Sequence, residues 1–178
     1  MGERTGPIAT WRGCIKSYTW AMQQLTFITG NAGKAKYMSD YFHIAVTHTK
    51  LDLPEIQSLS PRAVAEDKSR RAYERLGTPV LVEDGSLTFT ALGHLPGPFI
   101  KWFFDELGNE GLIHLLDHYE DRSAVIEVVY ALCDETGVHT FSATQKGTIT
   151  KEMRGSNGFG LDPIFVTEGH DKTWAEPP

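Results

Sequence analysis

Cysteine is nearly absent from this sequence. Cys14 and Cys133 are the only two in 178 residues, too few for a disulfide framework, and neither stands in a zinc-binding pattern. A reducing, cytoplasmic setting is therefore expected. No stretch is long and apolar enough to span a membrane. An excess of positive charge is missing as well. The formal net charge is -6, so no global basic field draws the chain to nucleic acid, although a local basic pocket for phosphates stays open. Repeats and low-complexity tracts are absent. So are the Walker pattern, the kinase signatures and the HExxH zinc motif. No local motif suggests a Ser-His-Asp or Cys-His arrangement.

What remains is an ordinary globular composition at a length suited to one domain with a sizeable core. Residues 1–21 mix Gly2, Gly6, Gly13 and Pro7 without a period. They lack the apolar core of a secretory signal. Gly6 stands where myristoylation needs Ser or Thr, and Arg4, Arg12 and Lys16 against Glu3 alone leave a transit peptide open. This segment is expected to be a flexible extension, with the globular domain covering 22–178.

The chain's organising stretch is Leu81-Val82-Glu83-Asp84-Gly85-Ser86-Leu87. Pro79 to Val82 reads as a short buried strand, two acids follow, and Gly85-Ser86 reads as a turn, which either swings both acids towards one cleft or, as this stretch alone favours, simply caps a solvated strand end. A second strand is expected from about Leu87 to Leu92. Before this stretch, Leu25–Thr29 is a strand, Ala32–Phe42 a helix with Tyr37, Met38, Tyr41 and Phe42 on one face, and Ile44–Thr49 a strand. Pro54 makes 52–57 a loop. Ser60-Pro61 opens a helix as N-cap and first-turn proline, and Gly77 closes it. After it, Phe99–Leu107 and Glu110–Tyr119 read as short helices. Ala124–Asp134 reads as a central strand turned at 134–137 into a partner reaching 150. Gly155–Gly160 is a glycine-rich loop and Pro163–Val166 a short strand. The order predicts an α/β fold with a mixed sheet flanked by helices.

Three groups of residues could carry chemistry. Thr29-Gly30-Asn31-Ala32-Gly33-Lys34 lies between a strand and a helix, where backbone N–H groups and the helix dipole favour an anion and Lys34 adds a full charge. Without an anion this is a glycine turn with an exposed lysine. Lys68 interrupts the apolar i+4 row Val64, Ala72, Leu76, so it either snorkels or faces a cleft. Asp52, Glu55, Glu83 and Asp84 form an all-oxygen set, suited to Mg²⁺ or Mn²⁺. Carboxylates, a hard cation and scattered lysines are what a polyphosphate substrate needs. By contrast, His114 and His118 have zinc spacing but no third ligand, and a surface helix face is the favoured reading. Phe99, Trp102 and Phe103 read as core packing.

In order along the chain, the motifs Thr29-Gly30-Asn31 with Lys34, Asp52-Leu53-Pro54-Glu55, Lys68, Val82-Glu83-Asp84, Leu95-Pro96-Gly97-Pro98-Phe99-Ile100-Lys101-Trp102-Phe103, Gly158–Phe165 and Trp174-Ala175-Glu176 resemble the inosine triphosphate pyrophosphatase family. The likeness runs from about Leu25 to the end of the chain. It implies an elongated fold with two lobes around a nucleotide cleft, a homodimer, and Mg²⁺-dependent hydrolysis of ITP, dITP and XTP to the monophosphate and pyrophosphate. By position, Glu55, Asp84 and Glu83 resemble metal ligands. Asp84 also resembles the base that orients the attacking water, with Glu83 beside it. Thr29, Gly30, Asn31, Lys34 and Lys68 resemble phosphate contacts. Lys101 and the segment Phe159, Gly160, Leu161, Asp162 resemble the nucleoside side, with Phe159 stacking on the base.

Three departures stand out. Gly85-Ser86 replaces the family's hydroxyl residue directly after the acid. Leu161 stands where an aromatic is usual. The family's final lysine and Ser-His-Arg segment would fall beyond Pro178. If that segment selects the base, an alternative is a catalytically impaired nucleotide-binding homologue. A third class is another α/β phosphate enzyme such as a kinase, against which the missing signatures count.

Overall fold

The computed structural model describes residues 25–42 and 46–177; the expected N-terminal extension lies outside them. The elements are β1 (Thr26–Ile28), α1 (Ala32–Phe42), β2 (Thr47–Thr49), α2 (Pro61–Leu76), β3 (Val80–Phe89), β4 (Pro96–Gly97), α3 (Ile100–His114), β5 (Ser123–Asp134), β6 (Gly137–Ile149) and β7 (Phe165–Thr167). The strands form a mixed sheet in the order β2-β1-β3-β5-β6-β7, with β4 beside β3. β1 runs parallel to both β2 and β3, whereas β4 is antiparallel to β3 and β7 to β6.

The chain divides into two compact units. Of the described residues, one unit holds 25–84 and 128–143, and the other 85–127 and 144–177. Strands β3, β5 and β6 contribute residues to both.

In the first unit, the β3 strand alternates. Val80 and Val82 are fully buried beside Ala65 and Ala72 of α2, while Leu81 packs with Phe27, Ala35 and Met38 of β1 and α1. Helix α2 begins as its sequence dictates. Ser60 accepts from the Ala63 N–H at 3.2 Å, Pro61 sits in the first turn, and Gly77 ends the helix at φ 67° with its N–H on the Tyr73 carbonyl. The second unit has its own core of Leu87, Phe89, Leu112, Leu116, Ile164 and Phe165. Gly147 lies against the Val166 carbonyl and the Phe165 ring, at 2.2 and 2.5 Å from where a Cβ would sit, so only glycine lets β6 and β7 pair there.

Arg122 stabilises the second unit in an uncommon way. It is 9% exposed and donates to the carbonyls of Ile113, Leu116, Ile149 and Thr150. Two of these, Ile113 and Leu116, lie at and just past the end of α3, where the carbonyls carry the negative end of the helix dipole.

Four sequence expectations change. Gly85-Ser86 is no turn: β3 runs unbroken from Val80 to Phe89, and Leu87 and Thr88 pair with Gly97 and Pro96. Partner strands hold extended a dipeptide that by itself favours turning. The strand expected to reach Leu92 stops at Phe89 and gives way to a 3₁₀ turn at Thr90–Leu92. The two helices expected between 99 and 119 do meet at a break, Gly108 at φ 63° and ψ -173°, but the second ends at His114. His118 is therefore off the helix, and His114 bonds Asp117 at 2.8 Å. Lastly, Trp102 is 63% exposed rather than core. Ile100, Phe103 and Phe104 take the buried face, and Trp102 lies about 200° around the helix from Ile100.

Candidate active site

Two pairs of oppositely charged side chains and one carboxylate come together in the first unit. Strand alternation sends Glu83 with Leu81 towards α1 and Asp84 with Val82 towards α2. From the first turns of α1, Lys34 donates to Glu83 Oε1 at 2.6 Å. The phenol of Tyr130, on β5, donates to Glu83 Oε2 at 2.9 Å. On the other face, Lys68 of α2 bonds Glu55 of the 50–59 loop. Lys68 has the position that its apolar row implied: Val64 and Ala72 are buried, and its own side chain is 21% exposed.

Asp84 is the exception among these carboxylates. Its Oδ2 is buried and has no hydrogen-bond partner among the described residues. Its pKa is pushed up from 3.8 to about 7, mainly by burial. Lys68 opposes that shift, Glu55 and Glu83 add to it, and Lys34 opposes it. Leaving a carboxylate oxygen buried and unpaired is destabilising by about 1–3 kcal/mol or more. A cation or a transferable proton at that oxygen is the chemistry such an environment favours.

The helix start at Asn31 is partly self-capped. Asn31 Oδ1 accepts from the N–H groups of Gly33 and Lys34 at 2.9 and 3.2 Å, and Thr29 Oγ1 accepts from the Asn31 N–H at 3.0 Å. Gly30 is exposed, and a Cβ there would stand 3.3 Å from the Lys50 side chain. Asp52 is exposed and gives its carbonyl oxygen to Arg75. Among the described residues, no three His, Cys, Asp or Glu side chains stand together as a metal cage. The oxygens on hand for a hard cation are instead the orphaned Asp84 Oδ2 and the half-exposed Glu55.

The other predicted residues lie in the second unit. The loop from Gly155 to Asp162 presents Phe159 at 71% exposure. Asp162 Oδ2 accepts from the Phe159 N–H at 2.9 Å, and Asn109 Nδ2 donates to the Gly160 carbonyl at 2.8 Å. Gly158, at φ 77°, leaves room for that carboxylate: a Cβ there would lie 1.9 Å from Asp162 Oδ2. Ser156 and Asn157 N–H groups donate to the Ala175 carbonyl, and Ala175 N–H to the Asp162 carbonyl. Leu161 turns inward against the core. Lys101 is exposed, pairs with Asp105 on the same helix, and lies 5.0 Å from the centre of the Trp102 ring.

Sequence reasoning missed Tyr130 and Asn109. Each acts across a long separation, Tyr130 on Glu83 and Asn109 on Gly160. The one local hint was a phenol inside an otherwise apolar strand, since a buried Tyr hydroxyl seeks a partner.

Two lysines beside three carboxylates have the makeup to take an anionic, phosphate-bearing ligand. The family profile of Ham1 matches residues 25–178, and the chain belongs to the Ham1 family. It is 42% identical over 157 residues to inosine triphosphate pyrophosphatase 2 of Trypanosoma cruzi, covering 86% of this chain and 80% of that protein. It is 43% identical over 157 residues to the dITP/XTP pyrophosphatase of Methanopyrus kandleri, covering 86% and 84%. Among solved structures it matches the Ham1 protein of Staphylococcus aureus with a TM-score of 0.75 at 28% identity, covering 86% of each chain. A Ham1 protein from Coxiella burnetii matches with a TM-score of 0.76 at 27% identity, again over 86% of each chain.

Proposed function

We propose that this chain hydrolyses ITP, dITP and XTP to the nucleoside monophosphate and pyrophosphate, clearing non-standard purine nucleotides from the pool. Family membership and two relatives above 40% identity carry the reaction class. The observation that carries the assignment of residues is Asp84, a half-buried carboxylate with one buried, unpartnered oxygen, whose charge is felt by two lysine–glutamate pairs.

Asp84 and Glu55 would hold a divalent cation, Mg²⁺ or Mn²⁺, since such ions take few protein carboxylates at polyphosphate sites. When bound, that ion neutralises phosphate charge and activates water. Asp84 would orient the attacking water and take its proton. The water oxygen bonds to the α-phosphorus, the bond from that phosphorus to the β-bridging oxygen breaks, and pyrophosphate leaves with the electron pair. Lys34 and Lys68 hold the phosphates, each exchanging a glutamate for a phosphate oxygen. Glu83 already has a donor on each oxygen, so we assign it to holding Lys34 rather than to the metal. Phe159 takes the base by stacking, on a loop fastened at Asn109 and Asp162. Lys101 takes the nucleoside side by position. The reading includes a homodimer in a reducing compartment, with Cys133 a buried free thiol. Among the described residues no helix is long and apolar enough to cross a membrane.

Pyrophosphate release from ITP, XTP, dITP, GTP and ATP, with Mg²⁺ and with EDTA, tests the reading. Pyrophosphate from the first three, abolished by EDTA, is expected. Release of single phosphate, or no turnover of any nucleotide, would overturn it.

A further inference from the structure

Both oxygens of Glu83 carry a donor, and the two donors differ in kind. Lys34 is a mobile cation whose side chain is 38% exposed, against 14% for Glu83. Tyr130 is a neutral phenol on a central strand, its ring 6.4 Å from that of Phe27 and tilted by 40°. Leu81, on the same face of β3 as Glu83, packs beside the Phe27, Ala35 and Met38 cluster, as Tyr130 does. A long lysine paired to a carboxylate by one contact is free to swing, because a single ion pair does not fix the carboxylate plane. A second donor on the other oxygen fixes it.

We propose that Tyr130 is a positioning residue for the phosphate-binding lysine, acting through Glu83; this rests on the reading of Lys34 as a phosphate contact. With the carboxylate held by the phenol, Lys34 Nζ has one defined resting place. When Lys34 turns to a phosphate it leaves a mostly buried carboxylate, and an abandoned buried charge is strongly destabilising. The Tyr130 hydroxyl stays on that carboxylate and lowers the penalty, so the exchange from glutamate to phosphate becomes easier. A phenylalanine at this position keeps the ring packing but leaves Glu83, among the described residues, dependent on Lys34. Glu83 then competes with the phosphate for that donor.

The test is Tyr130→Phe in the full chain, measured with inorganic triphosphate by calorimetry and with ITP by turnover. Affinity for triphosphate should fall about tenfold, the scale of a hydrogen bond to a charged group. KM for ITP should rise in step, with kcat within about threefold, while the melting temperature falls by the several degrees that one lost hydrogen bond costs. In a Glu83→Gln background, Tyr130→Phe should leave triphosphate affinity where Glu83→Gln alone puts it, because the two changes act through one contact. Unchanged triphosphate affinity in Tyr130→Phe, or an equal loss in both backgrounds, would overturn the proposal. So would a fall in kcat as large as the fall in affinity, which marks a packing role. A parent protein that binds no triphosphate would overturn the phosphate reading of Lys34 and the inference with it, whereas binding that Tyr130→Phe does not weaken overturns the inference alone.

Discussion

Glu83 is held by side chains from a helix and a strand, Lys34 at 2.6 Å and Tyr130 at 2.9 Å. Phe159 is held by its own backbone, through Asp162 on its N–H, Asn109 on the next carbonyl and a glycine on either side. The first arrangement is electrostatic: two cations and three carboxylates whose partners can be exchanged. The second is conformational. Its glycines sit at positive φ, and its bonds fix where an exposed ring is displayed. Charges that can change partner suit a ligand that arrives charged and leaves in pieces. A fixed aromatic face suits a ligand recognised by shape, since stacking needs an ordered plane more than it needs charge.

Substitutions in the two regions should therefore fail differently. The largest effect belongs to Asp84→Asn, which keeps the side chain's shape and removes its charge. Turnover of ITP should fall by about a hundredfold or more, the scale of one general base, while triphosphate still binds. A variant within a few-fold of the parent would leave Asp84 as a strand residue only. Next comes Lys68→Met, which removes the proposed phosphate contact and the cation that most lowers the Asp84 pKa. KM should rise by about ten- to a hundredfold, as for loss of a charged hydrogen bond. The acidic limb of kcat/KM should also move to higher pH; an unmoved limb would separate Lys68 from Asp84.

In the loop, Gly158→Ala forces a Cβ onto the Asp162 carboxylate and breaks the bond to the Phe159 N–H. KM for ITP should rise about tenfold, as strain of this kind is destabilising by roughly 1–3 kcal/mol, with triphosphate affinity unchanged. Equal losses for ITP and triphosphate would erase the contrast between the regions. The smallest effect belongs to Asn109→Ala. Its Oδ1 is buried and unpartnered among the described residues, so the lost bond to Gly160 is offset by removing an unsatisfied group. KM should change only about two- to threefold, and a tenfold rise would make Asn109 a main fastening of the loop.

Local chemistry explains what was legible beforehand. Helix α2 announces both ends in Ser60, Pro61 and Gly77, because caps act within a few residues. Lys68 was legible as a lone charge in an apolar row, and Asp84 as half of an acidic pair ending an apolar run. The unbroken path of β3 through Gly85-Ser86 was not, since the partners that hold it extended are other strands. Tyr130 was illegible because its partner is Glu83, far away in sequence. Trp102 was misread because aromatic content alone does not say which side of a helix is buried. The self-capping by Asn31 was missed for another reason. Gly-Asn before a helix reads equally as an anion site and as an N-cap, and the two uses draw on the same N–H groups.

Asp84 offers the most direct test of the account. Its pKa is raised in the folded state from 3.8 to about 7, so between those values the native protein binds the extra proton. Stability therefore falls as pH rises from about 4 to about 7 and stays lower above that. Asn in its place removes this loss, worth up to about 4 kcal/mol above pH 7 at 1.36 kcal/mol per pH unit. The measurement is the melting temperature of the parent and Asp84→Asn in EDTA at pH 8 and at pH 5, with ITP turnover of both in Mg²⁺. The account predicts that Asp84→Asn melts several degrees higher at pH 8, that the gap narrows at pH 5, and that turnover is lost. A variant that melts lower than the parent at pH 8 and still turns over ITP would contradict it.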